Sequence, residues 1–119
     1  MTKGKILVID DEPDICSLVK EILEDEGFEV NVASNGLEAN AIREKTKPDL
    51  IILDIWMPEI DGISLLKQWN ESASLDSPVI MMSGHGTVDT AVEATQLGAY
   101  DFLEKPLSLA KLILTVNHA

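Results

Sequence analysis

Apolar residues recur along this chain with two periods. Five short runs, Lys5 to Ile9, Glu29 to Ala33, Leu50 to Leu53, Val79 to Met82 and Tyr100 to Leu103, have the length and content of β-strands. The first, third and fourth are almost wholly apolar, as expected of strands covered on both faces, and belong at the centre of a sheet. Between the runs the period becomes helical. Ile15, Leu18, Val19, Ile22 and Leu23 form one stripe, with Pro13 at its start and Gly27 past its end as boundaries. Further helices are predicted over Gly36 to Lys45, Ser64 to Glu71, Val88 to Leu97 and Ser108 to Asn117, although "LILTV" in the last also fits a strand. The pattern is a fivefold β-α alternation, a doubly wound α/β fold with a parallel sheet between helices and right-handed crossovers. No linker divides residues 1–119, which read as one domain.

Composition narrows the class. The 119 residues are 45% apolar and free of low-complexity runs, enough for a self-sufficient core. No apolar run approaches the roughly 18 residues of a membrane span, and no signal-peptide core opens the chain, so a cytoplasmic protein is expected. The single Cys16 can form no internal disulfide and reads as a small packed hydrophobe. Nine Lys and Arg against 21 Asp and Glu leave a net charge of −12, which argues against nonspecific binding to nucleic acid or to an anionic membrane.

In folds of this kind the ligand site lies where loops leave the carboxyl ends of the strands. The first strand runs into Asp10 and Asp11, the third into Asp54, the fourth into Ser83, and the fifth is followed by Lys105 and Pro106. The second ends in Ala33-Ser34-Asn35 and offers nothing comparable. If strands one, three, four and five are neighbours, three carboxylates, a hydroxyl and an ammonium share one cleft. Carboxylates crowded together repel, and either protonation or a divalent cation relieves them. Oxygen ligands without nearby His or Cys favour Mg²⁺, or a similar hard ion such as Mn²⁺, over zinc. Such a site suits phosphoryl transfer, with Asp54 as nucleophile and Lys105 neutralising the transferring group.

Four stretches, "VIDDE", "LIILDIWMPEIDGISLL", "VIMMSGHGTVDTA" and "AYDFLEKP", resemble the receiver domain of two-component response regulators, from Lys5 to about Leu114. Within that family "GHGTVDTAVEATQLGAYDFLEKP" is most similar to receivers of NtrC- and NtrX-type nitrogen regulators. The resemblance implies a flavodoxin-like (βα)5 three-layer sandwich with strand order 2-1-3-4-5. It implies phosphorylation at Asp54 by the phosphohistidine of a sensor histidine kinase. It also makes Asp11 the direct magnesium ligand, Asp10 the acid supporting the metal, and the backbone carbonyl of Trp56 the third protein ligand. Ser83 becomes the switch hydroxyl and Lys105 the phosphate-contacting lysine. Pro106, after a cis peptide as in the family, would aim Lys105 inward. The same resemblance implies an output domain, transcriptional in such regulators, in a longer parent chain. It further implies a homodimer through the face formed by the fourth helix, fifth strand and fifth helix, and no DNA binding by this domain itself.

Taken singly, these residues have plainer readings. Asp10, Asp11 and Glu12 could be turn and capping residues before Pro13, and Glu12 is better read as a helix-start acid than as a ligand. Asp61-Gly62 is a turn signal on its own, with Gly62 in a backbone role. Ser83 could satisfy a local amide and Lys105 could be a surface cation. Independent turn chemistry has no reason to place acid, acid, hydroxyl and lysine at successive strand ends. The glycines of "SGHGT" lack a following Gly-Lys-Ser/Thr and so form no P-loop. His85 and His118 have no partner at metal-ligand spacing. The family's switch aromatic falls at Phe102, which lacks a hydroxyl, so any rotamer switch there rests on packing; Tyr100 and Trp69 are assigned to the core. Trp56 stands where small or polar residues are frequent and could shield an acyl phosphate from water. It also occupies the place where haloacid-dehalogenase-type hydrolases carry their second Asp, which argues against rapid turnover.

Overall fold

The computed structural model describes residues 4–55, 62–71, 78–83, 96, 99–104 and 109–118. Its strands are β1 (Lys5–Ile9), β2 (Glu29–Ala33), β3 (Leu50–Asp54), β4 (Val79–Ser83) and β5 (Asp101–Glu104). Its helices are α1 (Pro13–Asp25), α2 (Gly36–Thr46), α3 (Gly62–Glu71) and α4 (Leu109–His118). Thus "LILTV" is helical. The helix expected over Val88 to Leu97 lies outside the described residues apart from Gln96.

All five strands pair in parallel in the order β2-β1-β3-β4-β5, so the most apolar runs occupy the middle as their composition demands. Alternation along the strands sorts side chains between two layers. Leu7, Ile9, Ile51, Leu53, Val79 and Met81 pack with Ala39 of α2 and Leu65, Leu66 and Trp69 of α3. Ile6, Val8, Leu50, Ile52, Ile80 and Met82 pack with Cys16, Val19 and Leu23 of α1 and Leu112 and Val116 of α4. The sheet is therefore the filling of a three-layer sandwich.

Local chemistry sets the helix ends. Pro13 begins α1, and Gly27 follows it at φ +96°, a conformation glycine adopts without a Cβ penalty. Asn35 caps α2 by accepting the Glu38 amide at 2.8 Å, while the Glu38 carboxylate accepts the Ser34 amide at 3.0 Å and the Ser34 hydroxyl at 3.1 Å. This variant of the capping box, in which the Glu reaches the residue before the cap, is written as Ser-Asn-x-x-Glu in the sequence. Trp69 ties α3 to α2: its indole N–H donates to Asn40 at 2.8 Å and Arg43 lies 4.6 Å from the ring centroid.

Two expectations need correction. Leu18 is 47% exposed, because the stripe facing the sheet is Cys16, Val19 and Leu23, at i, i+3 and i+7, and leaves position 18 at its edge. Tyr100 is half exposed, outside the core: it precedes β5, where its amide donates to the Val79 carbonyl at 2.7 Å and its side chain turns to solvent. Trp69 is buried as expected, at 3% exposure.

Ile52 is fully buried in the central strand, whereas Leu37 is 82% exposed at the start of α2. Ile52→Ala is expected to cost about 3 kcal/mol and Leu37→Ala less than about 0.5 kcal/mol. Urea unfolding with a common slope measures both.

Candidate functional site

Register brings the acids together. Ile9 and Leu53 are partners across β1 and β3, so Asp10 and Asp54, one residue further on each strand, emerge side by side at the carboxyl edge. Parity places both on the α1/α4 side, continuing Ile6-Val8 and Leu50-Ile52. Asp11 follows at the turn into α1. One carboxylate oxygen from each of Asp10, Asp11 and Asp54 lies within 4.8 Å of the others. Asp10 is fully buried and Asp54 is 2% exposed, whereas Asp11 keeps solvent contact.

Asp10 is held through its backbone and its side chain. Its amide donates to the Ala33 carbonyl at 3.0 Å, extending the β1–β2 ladder by one rung. Its carbonyl accepts the Cys16 thiol at 3.2 Å, and its Oδ1 accepts the Glu12 amide at 2.9 Å. The plain turn reading of Asp10 therefore holds: one carboxylate oxygen orders the entry to α1, within a cluster of acids. Glu12 sits at the N-cap of α1 without a side-chain cap bond and stays out of the cluster, a helix-start residue as expected. The Cys16 bond was not legible from sequence, since nothing in the spacing announces a thiol donating to a carbonyl six residues back.

Asp54 is fixed from the other side. It pairs in register with Met82 of β4, and the next amide, that of Ile55, donates to the Met82 carbonyl at 2.9 Å. The Gly62 amide at the start of α3 donates to the Ile55 carbonyl at 2.7 Å. Gly62 is not among the described residues with positive φ, so the backbone role expected of it is not a left-handed turn. What it supplies is the lack of a side chain next to the Asp54 carbonyl.

Ser83 ends β4 opposite Glu104 of β5, with its backbone on the same sheet edge. Phe102 is half-buried against the α2/α3 core. Trp56, His85, Lys105 and Pro106 lie outside the described residues, and His118 closes α4. A cavity of about 300 Å³ between α1 and α2 touches the site through Asp10 but has neither Asp11 nor Asp54 in its walls.

With carboxylate oxygens within 4.8 Å of each other, an ionised Asp10–Asp54 pair repels by at least about 3 kcal/mol at an effective dielectric of about 20. That cost persists unless a cation joins the cluster. The donor set is all carboxylate oxygen, which fits a hard divalent ion with several retained waters and suits zinc poorly. No helix among the described residues is long and apolar enough to cross a membrane.

Comparison with known proteins finds the same fold. Residues 6–117 match the family model described as the response regulator receiver domain. The chain is 44% identical over 116 residues to the nitrogen assimilation regulatory protein NtrX of Azorhizobium caulinodans, covering 96% of this chain and 25% of that protein. A crystal structure of NtrX from Brucella abortus superposes with a TM-score of 0.90 at 44% identity, over 100% of this chain and 27% of that one. The beryllofluoride-activated NtrC4 receiver domain dimer superposes with a TM-score of 0.88 at 43% identity, over 96% of this chain and 93% of that one. The chain spans about a quarter of the length of the curated relatives it matches.

Removing one charge from the trio relieves repulsion in the metal-free protein. Asp11→Asn, measured in chelator, is expected to raise unfolding free energy by about 1 kcal/mol. Denaturant titration of both proteins checks this, and a lower stability for the variant contradicts the crowding account.

Proposed function

The chain belongs to the response regulator receiver family, and from that premise we propose that it is a phosphoacceptor switch modified at Asp54. The observation that carries this reading is the Asp10, Asp11 and Asp54 cluster at the carboxyl edge of the sheet. Asp54 suits the acceptor role because it ends the central strand, between β1 with its acid pair and β4 with Ser83. Asp10 is less suited, since its Oδ1 already orders the turn into α1.

In the proposed reaction an ionised Asp54 oxygen attacks the phosphorus of a phosphohistidine on a sensor histidine kinase. The new O–P bond makes an aspartyl phosphate while the P–N bond breaks, and its electron pair returns to the imidazole, which takes a proton from solvent. No general base is needed. Asp10, Asp11, Asp54 and the Trp56 carbonyl would hold Mg²⁺ or Mn²⁺, which when bound supplies positive charge for the crowded carboxylates and the incoming phosphoryl oxygens. Lys105 adds an ammonium to the same charge, and Ser83 offers a hydroxyl to the product phosphoryl. Gly62 and Pro106 act through the backbone.

The domain is read as a signalling module in the cytoplasm that assists its own modification without turning over external substrates. The expected second Asp of an aspartyl-phosphate hydrolase is replaced by Trp56. Residues 1–119 are read as one receiver domain of a longer regulator, with its own output domain as a partner; that output is read as transcriptional, and as concerned with nitrogen assimilation like the relative from Azorhizobium. Signalling would pass through the fourth helix of the sequence reading, β5 and α4. Tyr100 and Leu114 stand 50% and 56% exposed beside and on these elements, apolar surface for the output domain or a second receiver. That an NtrC4 receiver domain forms a dimer supports pairing between receivers of this kind. Phe102, half-buried beside it, would couple site and face by packing alone.

Acetyl phosphate with Mg²⁺ is expected to add one hydroxylamine-sensitive phosphoryl group per chain, read by intact-mass spectrometry. Asp54→Asn and excess chelator should each reduce incorporation by at least about a hundredfold. A wild-type chain that takes no phosphoryl group is a binding module only, and many turnovers per chain make it a hydrolase.

A further inference from the structure

The first turn of α3 is built against the backbone of the phosphoacceptor itself. A Cβ on Gly62 would overlap the Asp54 carbonyl oxygen and lie 2.9 Å from both the Asp54 carbonyl carbon and the Ile55 Cα. These are backbone atoms, unable to swing aside as the end of a side chain can. The 2.7 Å bond from the Gly62 amide to the Ile55 carbonyl draws the two segments together at the same point. Neither partner can retreat freely. Behind Gly62, Leu65 and Leu66 are fully buried and Trp69 is tied to Asn40. Behind Asp54, β3 lies between β1 and β4, and the Ile55 amide is bonded to Met82.

Asp10 is placed by other elements, through Ala33 of β2, Cys16 of α1 and the turn at Glu12. The β1–β3 register sets Asp54 beside Asp10, and within that register the separation between Asp54 and the Asp10–Asp11 pair is steadied by two further anchors. Only one of them, the contact with α3, depends on a missing side chain.

We propose that Gly62 is a positioning residue for phosphoryl acceptance: its bare Cα lets α3 clamp the Asp54–Ile55 peptide and so holds the Asp54 carboxylate at working distance from Asp10 and Asp11. The inference rests on the phosphoacceptor reading above and assigns part of that chemistry to a residue with no functional group. One methyl group at position 62 must displace either α3 or the Asp54 peptide, and small displacements at a reacting centre are costly.

The test compares wild type, Gly62→Ala and Val116→Ala, the last as a core substitution on α4 that lowers stability away from the site. Each is titrated with Mg²⁺ by calorimetry and phosphorylated by acetyl phosphate at saturating Mg²⁺, well below its melting temperature. Gly62→Ala is expected to lose about tenfold or more in Mg²⁺ affinity and about tenfold in phosphorylation rate, whereas Val116→Ala stays within about twofold on both. A folded Gly62→Ala that keeps both values within about twofold overturns the proposal. So does an equal loss in Val116→Ala, since stability alone would then explain it.

If Gly62→Ala does not fold, amide exchange in the wild type decides. The Gly62 amide should be protected and should exchange several-fold more slowly when Mg²⁺ saturates the site, relative to amides of β2; an amide indifferent to Mg²⁺ overturns the proposal. A wild type that takes neither Mg²⁺ nor phosphoryl overturns the phosphoacceptor reading and this inference with it. An active wild type beside an equally active Gly62→Ala overturns this inference alone.

Discussion

The parallel register that sets Ile9 beside Leu53 is the constraint from which the site follows. Two apolar strands, each buried on both faces, can align only where their side chains mesh with the layers above and below. That alignment carries whatever follows them, here Asp10 and Asp54, to the same level at the same edge. The packing energy of the strands thus holds like charges together against their repulsion. A domain whose hydrophobic core buries Ile6 to Ile9 and Leu50 to Leu53 almost completely can sustain that opposition.

The two acids are steadied differently. Asp10 is bound through its amide, its carbonyl and one carboxylate oxygen, all to β2 or to α1 and the turn before it. Asp54 is bound through the neighbouring peptide, by β4 on one side and the start of α3 on the other. Asp11, open to solvent, is the member whose side chain can adapt to a ligand at least cost. A rigid pair with one adaptable partner would suit the proposed role, in which a hard ion keeping part of its water shares the site with a phosphoryl group.

Legibility varied with the range of the interaction. The strands could be read from local content, and β1 and β2 fall where their apolar runs place them. Pro13 and Gly27 announced the ends of α1 because they act on their own backbone dihedrals. Leu18 and Tyr100 were misplaced for a common reason: periodicity shows that a side chain is apolar and roughly which way it points, but its exposure depends on whether another element covers it. Gly62 shows the converse. Beside Asp61 it signals a turn, and only the approach of α3 to Asp54 reveals that its need is for space.

From the sequence alone came the alternation of strands and helices, the acids at the strand ends, and the chemistry that oxygen ligands favour, because each depends on residue type and on neighbours a few positions away. Tertiary structure decided which strands lie side by side. That choice turned Asp10, Asp11 and Asp54 from separate turn residues into a cluster within 4.8 Å, set Cys16 against the Asp10 carbonyl, and pressed Gly62 onto the Asp54 backbone. The physical reason is that repulsion, close packing and clamping act across space, between β1 and β3 tens of residues apart and between nearer segments that a turn folds together, at distances that spacing along the chain does not encode.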